Sequence, residues 1–387
     1  MTTTSEELYR AVLDDLREEH RLRATRVFDQ SRHGLLNASS NDYLGLASHP
    51  GCARRACEYA RAWGTGSASS RLICGTLPVH EALEAKLARL KGSEAALVMG
   101  SGFQTNASAL AALLDHQALK AEPLVFADKL NHASMHEGCR LAKARQIRYR
   151  HLDLDHLESL LTKYAEVSGP RFILSETVFS MDGDRADVPA LAGLAARFGA
   201  FLYLDEAHAV GVLGPGGMGL AAGVAIEDGL VMGTFSKALG SYGAYVCCSR
   251  TVREYLVNRA PGFIFSTALP PPVLGAVDAA LDLAQGMDSE RETLMTLSGR
   301  LRTGLRQAGL HTGGSTTQIV PVTVGEESRA LAAMRALEAE GILAVAVRPP
   351  TVPTGSSRLR LSLTALHSKE DVDRLTEAVP RVVERAS

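Results

Sequence analysis

Lys237 stands in Gly233-Thr-Phe-Ser-Lys-Ala-Leu-Gly240, a small-residue turn between two apolar segments, Gly229–Met232 and Ser241–Ser249. An ammonium avoids apolar surroundings unless it is paired, so a long amine on such a turn is out of place as a solubilising group. Burial lowers the pKa of a lysine and leaves its amine nucleophilic, the state that imine formation requires. Upstream lies Phe201-Leu-Tyr-Leu-Asp-Glu-Ala-His208, which reads as a strand ending on Asp205 with His208 just beyond. Ligands of open α/β sheets sit outside the carboxyl ends of strands. An acid that ends one strand and a lysine that follows the next are therefore expected as neighbours.

That pair suits pyridoxal phosphate. A lysine holds the aldehyde, and a carboxylate keeps the pyridine nitrogen protonated so that the ring can accept electrons. Other segments could serve the same group. Gly100-Ser-Gly-Phe-Gln-Thr105 opens a predicted helix, whose first N–H groups and dipole favour an anion, although an ordinary N-cap reads the same way. Thr234 and Ser236 add hydroxyls beside Lys237. His132 follows a strand end, where a flat imidazole could stack on an aromatic cofactor. His132 and His136 also have the spacing of a helical metal pair, but no third convergent ligand accompanies them and no metal is expected. Asp205-Glu-Ala-His208 spells a helicase box without the G-x-x-x-x-G-K-[ST] loop it would need. Gly214-Pro-Gly-Gly-Met-Gly219 fits a dinucleotide pattern, but no strand feeds it and Pro215 interrupts it.

The positioning elements alternate between strand and helix. Strands are expected at Ala95–Met99, Leu124–Ala127, Arg171–Leu174, Phe201–Asp205 and on both sides of Lys237, with helices between them, the pattern of a largely parallel sheet. An amphipathic helix is expected over 4–26, with Arg21, Arg23 and Arg26 at its basic end. Residues 64–76 are rich in Gly and Ser, yet Arg71-Leu-Ile73 within them reads as an ordered loop. From Pro270 a helical stretch, broken near Gly286, reaches Gly309. Strands near 318–324, 342–347 and 358–363 and helices near 326–340 and 368–385 complete a small α+β unit.

The chain has 387 residues, 46% hydrophobic and 22% charged, enough for one large domain and a smaller one. A net charge of −2 makes no electrostatic case for nucleic acid or an anionic membrane. No apolar run approaches the roughly 18 residues of a membrane helix. Met1–His20 is polar and acidic, unlike a signal or transit peptide. The 6 cysteines are scattered, which favours a reducing cytoplasm over a disulfide framework.

Assembled, these segments resemble the α-oxoamine synthases, a family of fold-type-I pyridoxal-phosphate enzymes. The resemblance runs from about Arg23 to the C-terminus. It rests on Ser40-Asn-Asp-Tyr-Leu-Gly-Leu46, Asn131-His-Ala-Ser134, Glu176-Thr-Val-Phe-Ser-Met-Asp-Gly-Asp184, Asp205-Glu-Ala-His208, Thr234-Phe-Ser-Lys237 and Phe265-Ser-Thr-Ala-Leu-Pro-Pro271. Arg348-Pro-Pro-Thr-Val-Pro353 with Arg358-Leu-Arg360 is similar to the branch that joins L-alanine to a pimeloyl thioester in biotin formation. Ser69-Ser-Arg-Leu-Ile-Cys-Gly-Thr76 is as similar to the branch that uses glycine and acetyl-CoA.

The resemblance implies an α/β fold, with a mostly parallel seven-stranded sheet in a large domain and a small C-terminal α+β domain. The implied division is an N-terminal helical arm at 1–45, the large domain at 46–285 and the small domain at 286–387. It implies pyridoxal phosphate held by Lys237, with Asp205 at the pyridine nitrogen, His208 at the phenolic oxygen with Ser180 nearby, and His132 stacked on the ring. Gly102, Phe103 and Thr234 would take the phosphate. Ser266 and Thr267 would reach the phosphate of a partner subunit in a homodimer. Arg360 would grip the amino-acid carboxylate, and Arg23, Thr351 and His132 would contact substrate. The acyl group would arrive on coenzyme A or an acyl carrier protein. An aminotransferase and a non-catalytic binding protein on the same fold are the rival readings. The first would release neither carbon dioxide nor thiol, and the second would not turn over.

Overall fold

The computed structural model of the chain describes residues 4–25, 27–28 and 35–386. These residues form two compact units. One comprises Asn41–Ser180 and Asp184–Thr293; the other takes the described residues of 1–40, 181–183 and 294–387.

The first unit is built on a seven-stranded sheet. In chain order its strands are β1 (Ala95–Met99), β2 (Leu124–Asp128), β3 (Gln146–Tyr149), β4 (Arg171–Glu176), β5 (Ala200–Asp205), β6 (Gly229–Thr234) and β7 (Ala244–Cys248). Their order across the sheet is β1-β7-β6-β5-β4-β2-β3, and β7 alone runs against its neighbours. All but β3 are near-continuous apolar runs, because both of their faces are covered. Side chains alternate between faces: Phe172 and Leu174, with Phe201 and Tyr203, join one buried cluster, whereas Ile173, Leu202 and Leu204 join the other. Four parallel strands end on one edge, at Asp128, Glu176, Asp205 and Thr234, so their polar last residues converge there.

Strand β3 was not among the strands expected from the sequence. Its residues, Gln-Ile-Arg-Tyr, lack an apolar run because it lies at the sheet edge, where one side is wet. The 64–76 segment is ordered by Arg71, which is buried, paired with Glu84 at 2.8 Å and set 5.4 Å over the Phe263 ring. The helical stretch after Pro270 does break as expected, into Pro271–Gln285 and Asp288–Gln307.

In the second unit the strands β8 (Ile319–Gly325), β9 (Val345–Val347) and β10 (Ser357–Ser362) form an antiparallel sheet in the order β9-β10-β8. Helices Glu327–Ala339 and Lys369–Arg385 bury Leu337, Val372, Leu375 and Val379. The strand expected over 342–347 is two pieces, since Ile342–Leu343 leaves that sheet to pair in parallel with Leu36–Asn37. The helix expected over 4–26 is shorter, Ser5–Glu18, opened by a Thr4–Glu7 capping box and carrying no buried residue. Arg21 and Arg23 therefore lie past its end, and Arg26 lies outside the described residues. Among the described residues no helix is long and apolar enough to cross a membrane.

Candidate active site

At the polar edge of the seven-stranded sheet, Asp205 ends β5 and is buried. Its Oδ1 accepts from the Ala207 N–H at 2.8 Å and its Oδ2 from the Asn106 side-chain amide at 2.7 Å. Both side-chain polar atoms of Asn106 are engaged. Its Nδ2 also donates to Ser134 Oγ at 2.9 Å, and its Oδ1 accepts from Tyr203 Oη at 2.8 Å. Ser134 in turn lies 2.7 Å from Nδ1 of His132, which caps helix Ala133–Leu141. One chain of hydrogen bonds thus orients the acid and the expected stacking histidine together. His132 has its pKa lowered, first by lost hydration and then by the Lys237 charge, with Asp205 opposing. The lowered value keeps the ring neutral, as a ring stacked on a cofactor should be.

Lys237 follows β6, and its Nζ lies 2.7 Å from Nε2 of His208. The far nitrogen of that ring, Nδ1, is 2.7 Å from Oη of the fully buried Tyr43. Glu176 ends β4 directly opposite Asp205 in the strand register. Burial, and then the Asp205 charge, raise its pKa well above the ordinary value.

The anion-binding elements also meet. Helix Gly102–Leu113 is capped by Ser101, whose hydroxyl accepts from the Gln104 N–H at 3.3 Å. Gly102 and Phe103 occupy the first helical positions, where N–H groups have no intrahelical acceptor. A Cβ built on Gly102 would stand 3.8 Å from Thr234 Oγ1, and Thr234 Oγ1 is 2.8 Å from Ser236 Oγ. The helix N-terminus therefore lies beside two hydroxyls, of which that of Thr234 donates to the Gly243 carbonyl at 2.9 Å. Ser266 accepts from the Gln104 side-chain amide at 2.6 Å, and Thr267 is solvent-exposed. Ser180 is half-buried within the same unit.

Of the expected substrate residues, His132 belongs to this unit, and Arg23, Thr351 and Arg360 belong to the other. Arg23 donates to Thr351 Oγ1 at 3.2 Å, and buried Arg360 donates to Ser362 Oγ at 2.7 Å. Arg358, two residues before Arg360 on β10, pairs with Asp182. Two sequence decoys resolve structurally. Glu206 of the helicase-like box is buried and ion-paired with Lys91, and it supports the 214–219 loop, where a Cβ on Gly219 would collide with its carboxylate at 2.1 Å. His136 bonds Gln146 at 2.7 Å.

The donor set fits pyridoxal phosphate. It has a lysine amine, a buried carboxylate fixed by two donors, a neutral histidine and a helix N-terminus lined with hydroxyls. Asn106, Ser134, Tyr203, Glu176 and Tyr43 were given no role of their own from the sequence, since a polar residue carries no periodic mark of a distant partner.

Residues 33–379 match the family described as aminotransferase class I and II. A relative from Gluconacetobacter diazotrophicus named 8-amino-7-oxononanoate synthase is 53% identical over 387 residues, covering 97% of each chain. One from Magnetococcus marinus, given that name provisionally, is 59% identical over 347 residues, 90% of this chain and 88% of its own. Among solved structures, a serine palmitoyltransferase from S. paucimobilis with a bound pyridoxal phosphate–myriocin adduct superposes with a TM-score of 0.89 at 25% identity, covering 98% of both chains. The fold is that of the fold-type-I pyridoxal-phosphate enzymes, and pyridoxal phosphate is the cofactor. The chain belongs to the aminotransferase class I and II family, in its 8-amino-7-oxononanoate synthase branch.

Proposed function

We propose that this enzyme condenses L-alanine with a pimeloyl thioester, releasing carbon dioxide and the thiol and forming 8-amino-7-oxononanoate for biotin synthesis. The observation that carries the reading is the Lys237 amine 2.7 Å from His208, on the sheet edge that also bears the buried carboxylate of Asp205. The 53% identity over 97% of the chain to the relative of that name supports the substrate pair.

When bound, pyridoxal phosphate supplies an electron sink for the carbanions formed on deprotonation and on loss of carbon dioxide. Lys237 would hold the cofactor's aldehyde and, once displaced by alanine, take the proton from the alanine Cα and later return one. Asp205 would keep the pyridine nitrogen protonated, a role its two donors serve by fixing the carboxylate plane. His132 would lie against the ring, and His208 would bond the phenolic oxygen with Ser180 nearby. Gly102, Phe103 and Thr234 would hold the phosphate. Arg360 would clamp the alanine carboxylate in a charge-assisted pair, with Arg23 and Thr351 toward the acyl substrate. The enzyme works as a cytoplasmic homodimer in which Ser266 and Thr267 reach the partner's phosphate. The exposure of Thr267 and of Phe265, at 83%, supports this reading. The acyl group arrives on coenzyme A or on an acyl carrier protein.

The test is thiol release from pimeloyl-CoA by cofactor-loaded protein, with L-alanine and glycine run in parallel. Release with alanine, abolished in Lys237→Ala, is expected. Release with glycine alone would move the enzyme to a sister activity, and amino transfer without thiol release would overturn the proposal.

A further inference from the structure

Gln104 takes no part in the proposed reaction, yet two glycines leave room for its side chain. It lies in the first turn of helix Gly102–Leu113. A Cβ built on Gly100 would stand 2.3 Å from Gln104 Oε1, and one on Gly262 would stand 2.9 Å from Gln104 Cγ. Neither glycine has a positive φ, so neither is required by a turn. A methyl at either position would push the glutamine aside. Held in this slot, Gln104 donates from Nε2 to Ser266 Oγ at 2.6 Å. A serine hydroxyl has one proton and two lone pairs, and the glutamine occupies a lone pair. The Ser266 proton is left to donate elsewhere, and among the described residues no acceptor takes it.

The geometry points to Gln104 as a positioning residue: by donating to Ser266 it turns the serine proton outward, toward the cofactor phosphate that Ser266 serves across the dimer. Phosphate oxygens accept, so the hydroxyl must reach them proton first. With an acceptor in place of the Gln104 donor, the serine proton would turn inward and a lone pair would face the anion. The bond received from the amide also polarises the hydroxyl and strengthens the bond it gives. The segment that carries Ser266 is fixed by other contacts. The Ala268 N–H donates to the Ser69 carbonyl at 3.0 Å, and Ser67 Oγ donates to the Leu269 carbonyl at 2.7 Å. Gln104 therefore orients the hydroxyl without holding up the loop. The inference rests on the reading that Ser266 reaches the partner's phosphate.

The experiment is equilibrium titration of cofactor-free protein with pyridoxal phosphate and, in parallel, with pyridoxal, which has the ring and aldehyde but no phosphate. Gln104→Met removes the donor at nearly constant volume. It should weaken pyridoxal phosphate binding by at least about tenfold, the scale of a hydrogen bond to a charged group, and leave pyridoxal within about twofold of wild type. Ser266→Ala should weaken pyridoxal phosphate to a similar degree. Adding Gln104→Met to Ser266→Ala should change little more, because the glutamine acts through the serine. Gln104→Asn keeps the amide but is one methylene too short, and it gives the same test if the methionine variant does not fold. Loss in Ser266→Ala without loss in the Gln104 variants overturns the positioning role and leaves the dimer reading standing. Unchanged affinity in Ser266→Ala overturns both. An equal loss for pyridoxal, or a further full loss on the Ser266→Ala background, would make Gln104 a structural residue of the helix and refute the inference.

Discussion

His151 lies between two carboxylates, with Nδ1 3.0 Å from Asp128 Oδ1 and Nε2 2.9 Å from Asp184 Oδ2. Both nitrogens can donate only as the imidazolium. Burial opposes that charge, but the hydrogen bonds to Asp128 and Asp184 outweigh it and push the pKa up to about 9. The unfolded value is about 6.5, so the folded state binds the proton more tightly. The stabilisation is then fully present below about pH 6.5 and lost as pH rises through the folded value of about 9. Unfolding free energy measured by denaturant titration should decline between about pH 7 and 10, and His151→Leu should be less stable and flatter over that range. A variant that declines as steeply as wild type would assign the loss to other groups. The clamp matters for the site because Asp128 ends the strand before the His132 turn, and Asp184 closes the segment that carries Ser180.

Two helices carry the oriented polar chain, Gly102–Leu113 with Asn106 and Ala133–Leu141 with the His132 cap. They approach closely at Gly138, where a Cβ would meet Leu110 Cβ at 2.6 Å and the Asn106 carbonyl oxygen at 2.8 Å. Neither atom can rotate away. Alanine is favoured over glycine in a helix by about 1 kcal/mol, whereas overpacking costs about 1–3 kcal/mol. Backbone is among the obstacles here, so the strain wins. Gly138→Ala should lower the melting temperature and also weaken pyridoxal phosphate binding, read by cofactor titration, because the helices must part where Asn106 meets Asp205. A variant with unchanged melting and unchanged cofactor affinity would show that the helices separate at no cost.

Across the whole molecule, the residues fitted to the cofactor come from segments scattered between Gly102 and Lys237, and they converge only in the folded unit. A ligand held there binds the native state alone and raises its stability by mass action, by about 2.7 kcal/mol at a hundredfold excess over Kd. Pyridoxal phosphate should therefore raise the melting temperature of cofactor-free wild type in differential scanning fluorimetry. Lys237→Ala should melt as one folded species but gain less, since the covalent hold is gone. A wild type that does not respond would remove the cofactor from this site.

Lys237, Asp205, His208 and the helix opening at Gly102 were legible in the sequence because their signals are local. An apolar run ends in a polar residue, a small-residue turn holds one amine, and Ser101 stands where a cap belongs. The family segments added the role of Arg360 as an expectation. The tertiary structure alone joined Asn106 to Asp205, 99 residues apart, and Tyr43 to His208, 165 apart. It also decided the strand order β1-β7-β6-β5-β4-β2-β3, the edge strand β3 and the His151 clamp. Periodicity in a sequence reports which face of an element is buried. Which polar side chains become partners depends on the order in which strands are laid side by side, and that order is set by packing among residues far apart in the chain.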